Sequence, residues 1–313
     1  MNELSNAAIR LKGLTKSFPT VKAVDHLSFE VFPGEIFGLV GPDGAGKTTA
    51  LRMLAGVLPP DEGTAIVAGL DIVVDSEEAK NHLSYMPQGF GLYEDLTIDE
   101  NIRFYADLFG VRKVDREHRS AQLLDAATMS EFRTRLAGKL SGGMKQKLGL
   151  VCALIHTPRV ILLDEPTTGV DPVSRRDFWR ILYSLVSEGV AILTSTAYLD
   201  EAERCHRVAL LNEGRLLFSD TPAHLKEHLA GSVLAITSPE PRRVRDELEK
   251  VEGISSLVLT GDGVHLVVRD AASRTFDFES KLRTAGVPFD EIHDVTPTIE
   301  DLFVDAVSGG RPA

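Results

Sequence analysis

The sequence predicts an α/β fold: a parallel sheet core with antiparallel strands at its edge and a helical subdomain, followed by a small α+β domain. Three observations carry this expectation. Short apolar runs at Ile36–Val40, Val160–Leu163 and Val190–Leu193 read as strands buried on both faces. Helix-like stretches separate them, and that alternation builds a parallel sheet. Near residue 231 the pattern changes to short elements in the order β-α-β-β-α-β, the order of a ferredoxin-like split unit.

Each element has its own local reason. Residues 7–32 alternate apolar and polar positions with small breaks, as strands at the edge of a domain do. Ile36–Val40 then enters a glycine-rich turn, and Thr48–Val57 follows with helical spacing. Residues 94–156 hold several amphipathic helical segments and no strand signal, which marks the helical subdomain. Pro172 opens a helix that stops before Gly189. In the last part, Val233–Thr237 reads as a strand and Pro241–Val251 as a charged helix. Ser256–Thr260 and Val264–Val268 form a hairpin about Gly261-Asp262-Gly263. Ser273–Ala285 is helical, Phe289–Val295 a strand and Thr298–Val307 a short helix. The expected partition is therefore 7–230 and 231–313.

The chain has 313 residues, 43% of them hydrophobic, enough for a sizeable core in each domain. Lys and Arg total 34 against 46 Asp and Glu, a formal net charge of −12, which speaks against a nucleic-acid partner and its usual basic face. Cys152 and Cys205 form no close-spaced pair and sit in apolar, helix-like surroundings, so they read as reduced thiols rather than a disulfide or metal site. No apolar run approaches the ~18 residues that a membrane span needs. Met1–Arg10 lacks the basic-then-apolar pattern of a leader. A membrane role would have to run through a partner.

Gly41-Pro42-Asp43-Gly44-Ala45-Gly46-Lys47-Thr48 fits the phosphate-binding loop pattern, with the strand before it and the helix after it that the pattern requires. The glycines let backbone N–H groups turn inward around phosphates, and the helix N-terminus adds partial positive charge. In that pattern Lys47 would reach the β and γ phosphates and the Thr48 hydroxyl would ligate Mg²⁺, with the site extending to Thr49. Val160–Leu163 ends in Asp164-Glu165. Ligands of a parallel sheet bind at the carboxyl ends of its strands, so both acids arrive beside the loop. Asp164 suits Mg²⁺ and Glu165 suits an attacking water. Alone, such a pair is more often a solvated strand end or helix cap; beside this loop the functional reading prevails. Leu140-Ser141-Gly142-Gly143-Met144 starts a further helix, with Ser141 as its cap and the glycines opening the backbone to an anion.

The phosphate loop, Gln88, Leu140–Gln146, Asp164-Glu165 and Gly169-Val170-Asp171-Pro172 occur in the order and spacing of ABC ATPase domains. Over about residues 7–230 the chain resembles such domains, most closely the ATP-binding subunits of bacterial ABC-2-type drug exporters, including the YbhF-like group. The resemblance implies ATP and Mg²⁺ as ligands and a head-to-tail dimer with a second ATPase domain, identical or not. It also implies integral membrane permease subunits as partners and a place at the cytoplasmic face of the membrane. By position, Phe18 is similar to the aromatic that stacks on adenine, though it reads equally as a strand core residue. Gln88 corresponds to the residue that touches Mg²⁺ and answers to the membrane subunit. Ser141 and Gly143 would contact the γ phosphate held by the partner, and Asp171 would lie across the interface. Residues 87–110 would form much of the groove for the membrane subunit, with Leu92, Tyr93, Phe104 and Phe109 there or in the core. The last domain resembles the accessory domains of the exporter branch.

One departure stands out. The family has a His shortly after the strand that follows the acidic pair, and Ala197 occupies that place within Ser195–Glu203. Alanine has neither donor nor acceptor for the γ phosphate. Either this chain's own site hydrolyses slowly and pairs with a competent partner, or Glu165 suffices. His206 reads as lying on the following helix, on its surface and too distant to substitute. The other alternative, a soluble ABC ATPase acting on ribosomes or DNA, usually carries two ATPase domains or a long coiled coil. This chain has neither the second domain nor heptads, and its balance is acidic.

Overall fold

The computed structural model describes residues 6–89, 91–249, 251–269 and 271–308. Met1–Ser5, part of the start read as lacking a leader, and 309–313, the end of the second expected domain, lie outside the described residues. The chain divides into two compact units, Met1–Glu201 with Cys205–Leu216, and Ala202–Arg204 with Leu217–Ala313.

The first unit opens with β1 (Ile9–Phe18) and β2 (Val21–Val31), an antiparallel pair. β3 (Ile36–Val40) leads through the glycine turn into α1 (Lys47–Leu54). β4 (Glu62–Val67), β5 (Leu70–Asp71), α2 (Ser76–Lys80) and β6 (Leu83–Met86) follow. Three helices without an intervening strand come next: α3 (Ile98–Leu108), α4 (Lys113–Ala126) and α5 (Gly142–Leu154). The chain then returns to β7 (Val160–Asp164), α6 (Pro172–Ser187), β8 (Ala191–Thr196), α7 (Leu199–Ala202), β9 (Arg207–Asn212) and β10 (Arg215–Asp220), Ala202 and the last four residues of β10 being counted with the second unit.

Two sheets result. The antiparallel one has the order β2-β1-β4-β5, and the other runs β10-β9-β3-β8-β7-β6. Strands β9, β3, β8, β7 and β6 are parallel. Every residue of β3, β7 and β8 is buried, which is why their sequences read as continuous apolar runs rather than alternating ones. Phe29 of β2 stacks on Phe37 of β3 with ring centroids 5.0 Å apart, inside a core that also takes Leu51 and Leu54 of α1. Each such side chain contributes roughly 1.5–3 kcal/mol by leaving water.

The second unit contains α8 (Pro222–Glu227), β11 (Ser232–Thr237), α9 (Pro241–Leu248), β12 (Ile254–Leu259), β13 (Gly263–Val268), α10 (Ala271–Thr284), β14 (Glu291–Val295) and α11 (Ile299–Ser308). Its sheet is antiparallel in the order β12-β13-β11-β14, so the ferredoxin-like order read from the sequence is the topology observed. Period-2 alternation divides β13 between two faces. Val264, Leu266 and Val268 share a core with Val244, Leu248 and Phe278, whereas His265 meets Asp301 of α11 at 3.1 Å.

His206 lies between α7 and β9, not on a helix. Its Nδ1 accepts the Ile36 N–H at 3.0 Å, so it buttresses the start of β3 from the surface. Cys205 occupies the same turn, while Cys152 belongs to α5; both thiols are free and buried, and burial pushes both pKa values up. Among the described residues, no helix is long and apolar enough to cross a membrane.

Candidate functional site

β3 carries the chain to Gly41, and the turn closes at Gly46, the N-cap of α1. Gly46 has φ 100°, a region that glycine alone enters freely, and a Cβ there would lie 2.2 Å from the Ala23 carbonyl oxygen. A glycine cap has no side chain to satisfy the first N–H groups of the helix, which are left for a ligand.

β7 and β8 end level with each other, Asp164 in register with Ser195. Being parallel to β3, they open on the same sheet edge as the glycine turn. Asp164 is 1% exposed, so its charge needs donors. It has three: Ser195 Oγ at 2.7 Å and Thr48 Oγ1 at 3.0 Å donate to Oδ1, and Tyr85 Oη donates to Oδ2 at 3.3 Å. Burial, and then the Asp164 charge, pushes the Tyr85 phenol above its ordinary range, so it stays a donor.

Glu165 follows in a left-handed backbone conformation, φ 48°, uncommon for a residue with a side chain. Its N–H donates to Ser195 Oγ at 3.0 Å and to the Ser195 carbonyl at 3.2 Å. Its carboxylate reaches Lys47 Nζ at 3.1 Å and accepts from Gln88 Nε2 at 3.1 Å and Thr168 Oγ1 at 3.4 Å. Lys47 is 4% exposed and also donates to the carbonyls of Gly41, at 2.8 Å, and Pro42, at 3.0 Å.

Lys47, Thr48, Gln88, Asp164 and Glu165 thus form one connected set. Beside it opens a cleft of about 590 Å³, lined by Phe18, Asp43–Thr49, Gln88 and Glu165. Phe18 ends β1 at 43% exposure and is not a core residue. Gly41 is buried beneath the turn, where a Cβ would lie 2.3 Å from the Leu211 carbonyl oxygen.

Ser141, Gly142, Gly143 and Asp171 do not line that cleft; they form a second cluster. Ser141 caps α5 by accepting the Met144 N–H at 3.3 Å, and Ser141 and Gly142 are exposed. Asp171 caps α6 by accepting N–H groups of Val173 at 3.1 Å and Ser174 at 3.0 Å. Those donors, Ser174 foremost, hold its carboxyl below the usual range. The two helix starts touch at Gly143, where a Cβ would lie 2.3 Å from Ser174 Oγ.

Ala197 is exposed just beyond β8. Sequence reasoning assigned no role to Ser195 or Tyr85. For Ser195 the signal was a polar residue ending an apolar strand level with Asp164; for Tyr85 no sequence signal points to the acid.

The family model described as ABC transporter matches residues 24–168. The "Probable multidrug ABC transporter ATP-binding protein YbhF" of Escherichia coli K12 is 46% identical over 98% of this chain and 53% of its own length. The chain therefore spans about half the length of that relative. The Nod factor export ATP-binding protein I of Burkholderia thailandensis is 40% identical over 78% of the chain and 81% of the relative. The daunorubicin resistance ATP-binding protein DrrA2 of Streptomyces coeruleorubidus is 32% identical over 95% and 94%. Among solved structures, an ATP-binding subunit of an ABC transporter superposes with a TM-score of 0.65 at 28% identity, covering 70% of this chain and 92% of that one. The phosphate loop, the acidic strand end and these likenesses agree: the chain belongs to the ABC transporter family and is built on its ATP-binding cassette.

Proposed function

We propose that this chain hydrolyses MgATP and thereby drives separate membrane subunits, exporting drugs or other small amphiphilic compounds. The observation that carries the reading is the convergence of Lys47, Thr48, Gln88 and Glu165 on one cleft, with buried Asp164 held behind Thr48. Lys47 and the turn's N–H groups would hold the β and γ phosphates, and Phe18 would cover the adenine. Glu165 would orient the attacking water and take its proton, so the chain's contribution is positioning and electrostatics.

The donor set fits Mg²⁺. Thr48 Oγ1 and Asp164 Oδ1 are hard oxygens 3.0 Å apart, with Gln88 close by through Glu165. Among the described residues no group of three or more His, Cys, Asp or Glu could hold a metal. That suits an ion bound through one or two carboxylates plus substrate phosphates. When bound, Mg²⁺ neutralises charge on the phosphates.

The cluster of exposed Ser141, Gly142 and Asp171 around buried Gly143 would complete the site of a second ATPase domain, identical or not. A groove of about 450 Å³ lined in part by Tyr85, Tyr105, Leu108 and Phe109 would receive a membrane subunit at the cytoplasmic face. It is open, with Leu108 65% exposed and the Glu77–Lys80 ion pair also in its lining. Nucleotide work would reside in residues 7–230, with 231–313 an accessory domain. Relatives named for multidrug transport, Nod factor export and daunorubicin resistance support a transport ATPase over a ribosome- or DNA-directed one.

The dimer offers the test. Turnover per chain should rise with protein concentration, and Ser141→Arg, at an exposed position, should stop it while ATP binding persists. Turnover that is independent of concentration and unaffected by Ser141→Arg would refute the shared site.

A further inference from the structure

We infer that Ser195 is the positioning residue that sets both acids of the site, fixing the Asp164 carboxylate for the metal and aiming Glu165. The inference rests on the ATPase reading above and adds a residue to it. Ser195 is 0% exposed at the end of β8, so its hydroxyl needs partners within the protein. A hydroxyl has one proton to give. The 2.7 Å contact to Asp164 Oδ1 takes that proton, since a carboxylate only accepts. The Glu165 N–H at 3.0 Å then occupies a lone pair. One oxygen atom therefore holds the side chain of the first acid and the backbone of the second, in a fixed sense.

Each bond has a consequence. On Asp164, Ser195 and Thr48 share Oδ1 while Tyr85 holds Oδ2, which fixes the plane of the carboxylate beside the Thr48 hydroxyl. On Glu165, the left-handed backbone persists only where its surroundings over-determine it. Ser195 supplies two anchors for that N–H, through Oγ and through its carbonyl. The conformation so held is the one that brings the Glu165 carboxylate to Lys47 and Gln88. Neighbouring Thr196 does different work, its hydroxyl accepting the Tyr198 N–H at 3.0 Å.

The test compares Ser195→Ala and Ser195→Cys with wild type and Glu165→Gln in the whole chain. ATP affinity is measured with EDTA and with Mg²⁺, and steady-state kcat and KM are measured with MgATP. Loss of a residue that orients a metal ligand typically costs about 10- to 100-fold in metal affinity or activity. Ser195→Ala is expected to bind ATP normally in EDTA and to lose most of the affinity that Mg²⁺ adds. Its kcat should fall about 10- to 100-fold, and KM for MgATP should rise with the Mg²⁺-dependent affinity that is lost. Ser195→Cys, close in shape but a weaker donor, should fall between. Two results would overturn the inference: a Mg²⁺ gain and kcat equal to wild type, or a loss of metal-free ATP affinity as large as the loss with Mg²⁺. If Ser195→Ala fails to fold, Ser195→Cys is judged by the same two results. A wild type without turnover would refute the ATPase reading alone, because the Mg²⁺ gain still decides the role of Ser195.

Discussion

Lys47→Ala is the perturbation whose size follows most directly from the structure. Its ammonium is 4% exposed and held by Gly41, Pro42 and Glu165 within 3.1 Å, so it is preorganised at the mouth of the turn. A hydrogen bond from a charged donor contributes about 1.5–3 kcal/mol. Loss of its phosphate contacts, taken as ~2–3 kcal/mol, should weaken ATP binding roughly 30- to 140-fold. At ATP a hundredfold above the wild-type Kd, ligand binding stabilises the fold by about 2.7 kcal/mol. For a unit of this size that is a rise in melting temperature of roughly 5–11 °C. In the variant, the same ATP concentration should give less than about 1 kcal/mol and a rise of no more than roughly 4 °C. Differential scanning calorimetry of both proteins, with and without MgATP, reads this directly. A variant that melts and responds to ATP as wild type does would refute the placement of the phosphates at Lys47.

Ala197→His places an imidazole at an exposed position beyond β8; if the missing His limits turnover, phosphate release should rise, by at most roughly 10²–10³-fold, with ATP affinity unchanged. Brisk wild-type turnover that the substitution leaves alone would show that Glu165 suffices. In the second unit, the Asp301 hydrogen bond raises the pKa of His265 above its ordinary 6.5, while His265 and Thr298 outweigh burial and lower that of Asp301 below 3.8. The His265 contribution is full below pH 6.5 and lost as pH rises through its raised pKa; that of Asp301 is present above 3.8 and lost as pH falls through its lowered one. Urea titrations should therefore place this pair's contribution at its maximum between about pH 4 and 6.5, and Asp301→Asn should flatten the dependence. A truncation ending at Ala230 should still bind ATP; a folded truncation that cannot would refute the assignment of all nucleotide work to 7–230.

Much of the site was legible in the sequence because its chemistry lies in local strings. The phosphate loop is contiguous from Gly41 to Thr48, and Val160–Leu163 points to its own end at Asp164-Glu165. The order β-α-β-β-α-β was equally local, each strand announced by an apolar run and a turn. What escaped depends on pairing across the sheet. Ser195 and Tyr85 reach Asp164 only because β8 and β6 flank β7, with Asp164 in register with Ser195 and Tyr85 with Leu162. Register is a long-range property that no window of sequence contains. Phe18 was open between stacking and core, and its exposure decided against the core. His206 was expected on the following helix, but α7 ends at Ala202 and the chain turns there before β9.

In the proposed function, the cleft beside Lys47 and Glu165 hydrolyses ATP by means of this chain's own acid. Phosphate release from MgATP by the whole chain, wild type against Glu165→Gln, tests it most directly. Wild type should turn over, and the variant should fall to background while still binding ATP, because a well-placed general base supplies about 10²–10⁴-fold. Glu165→Gln hydrolysing ATP at the wild-type rate would show that Glu165 is not the base.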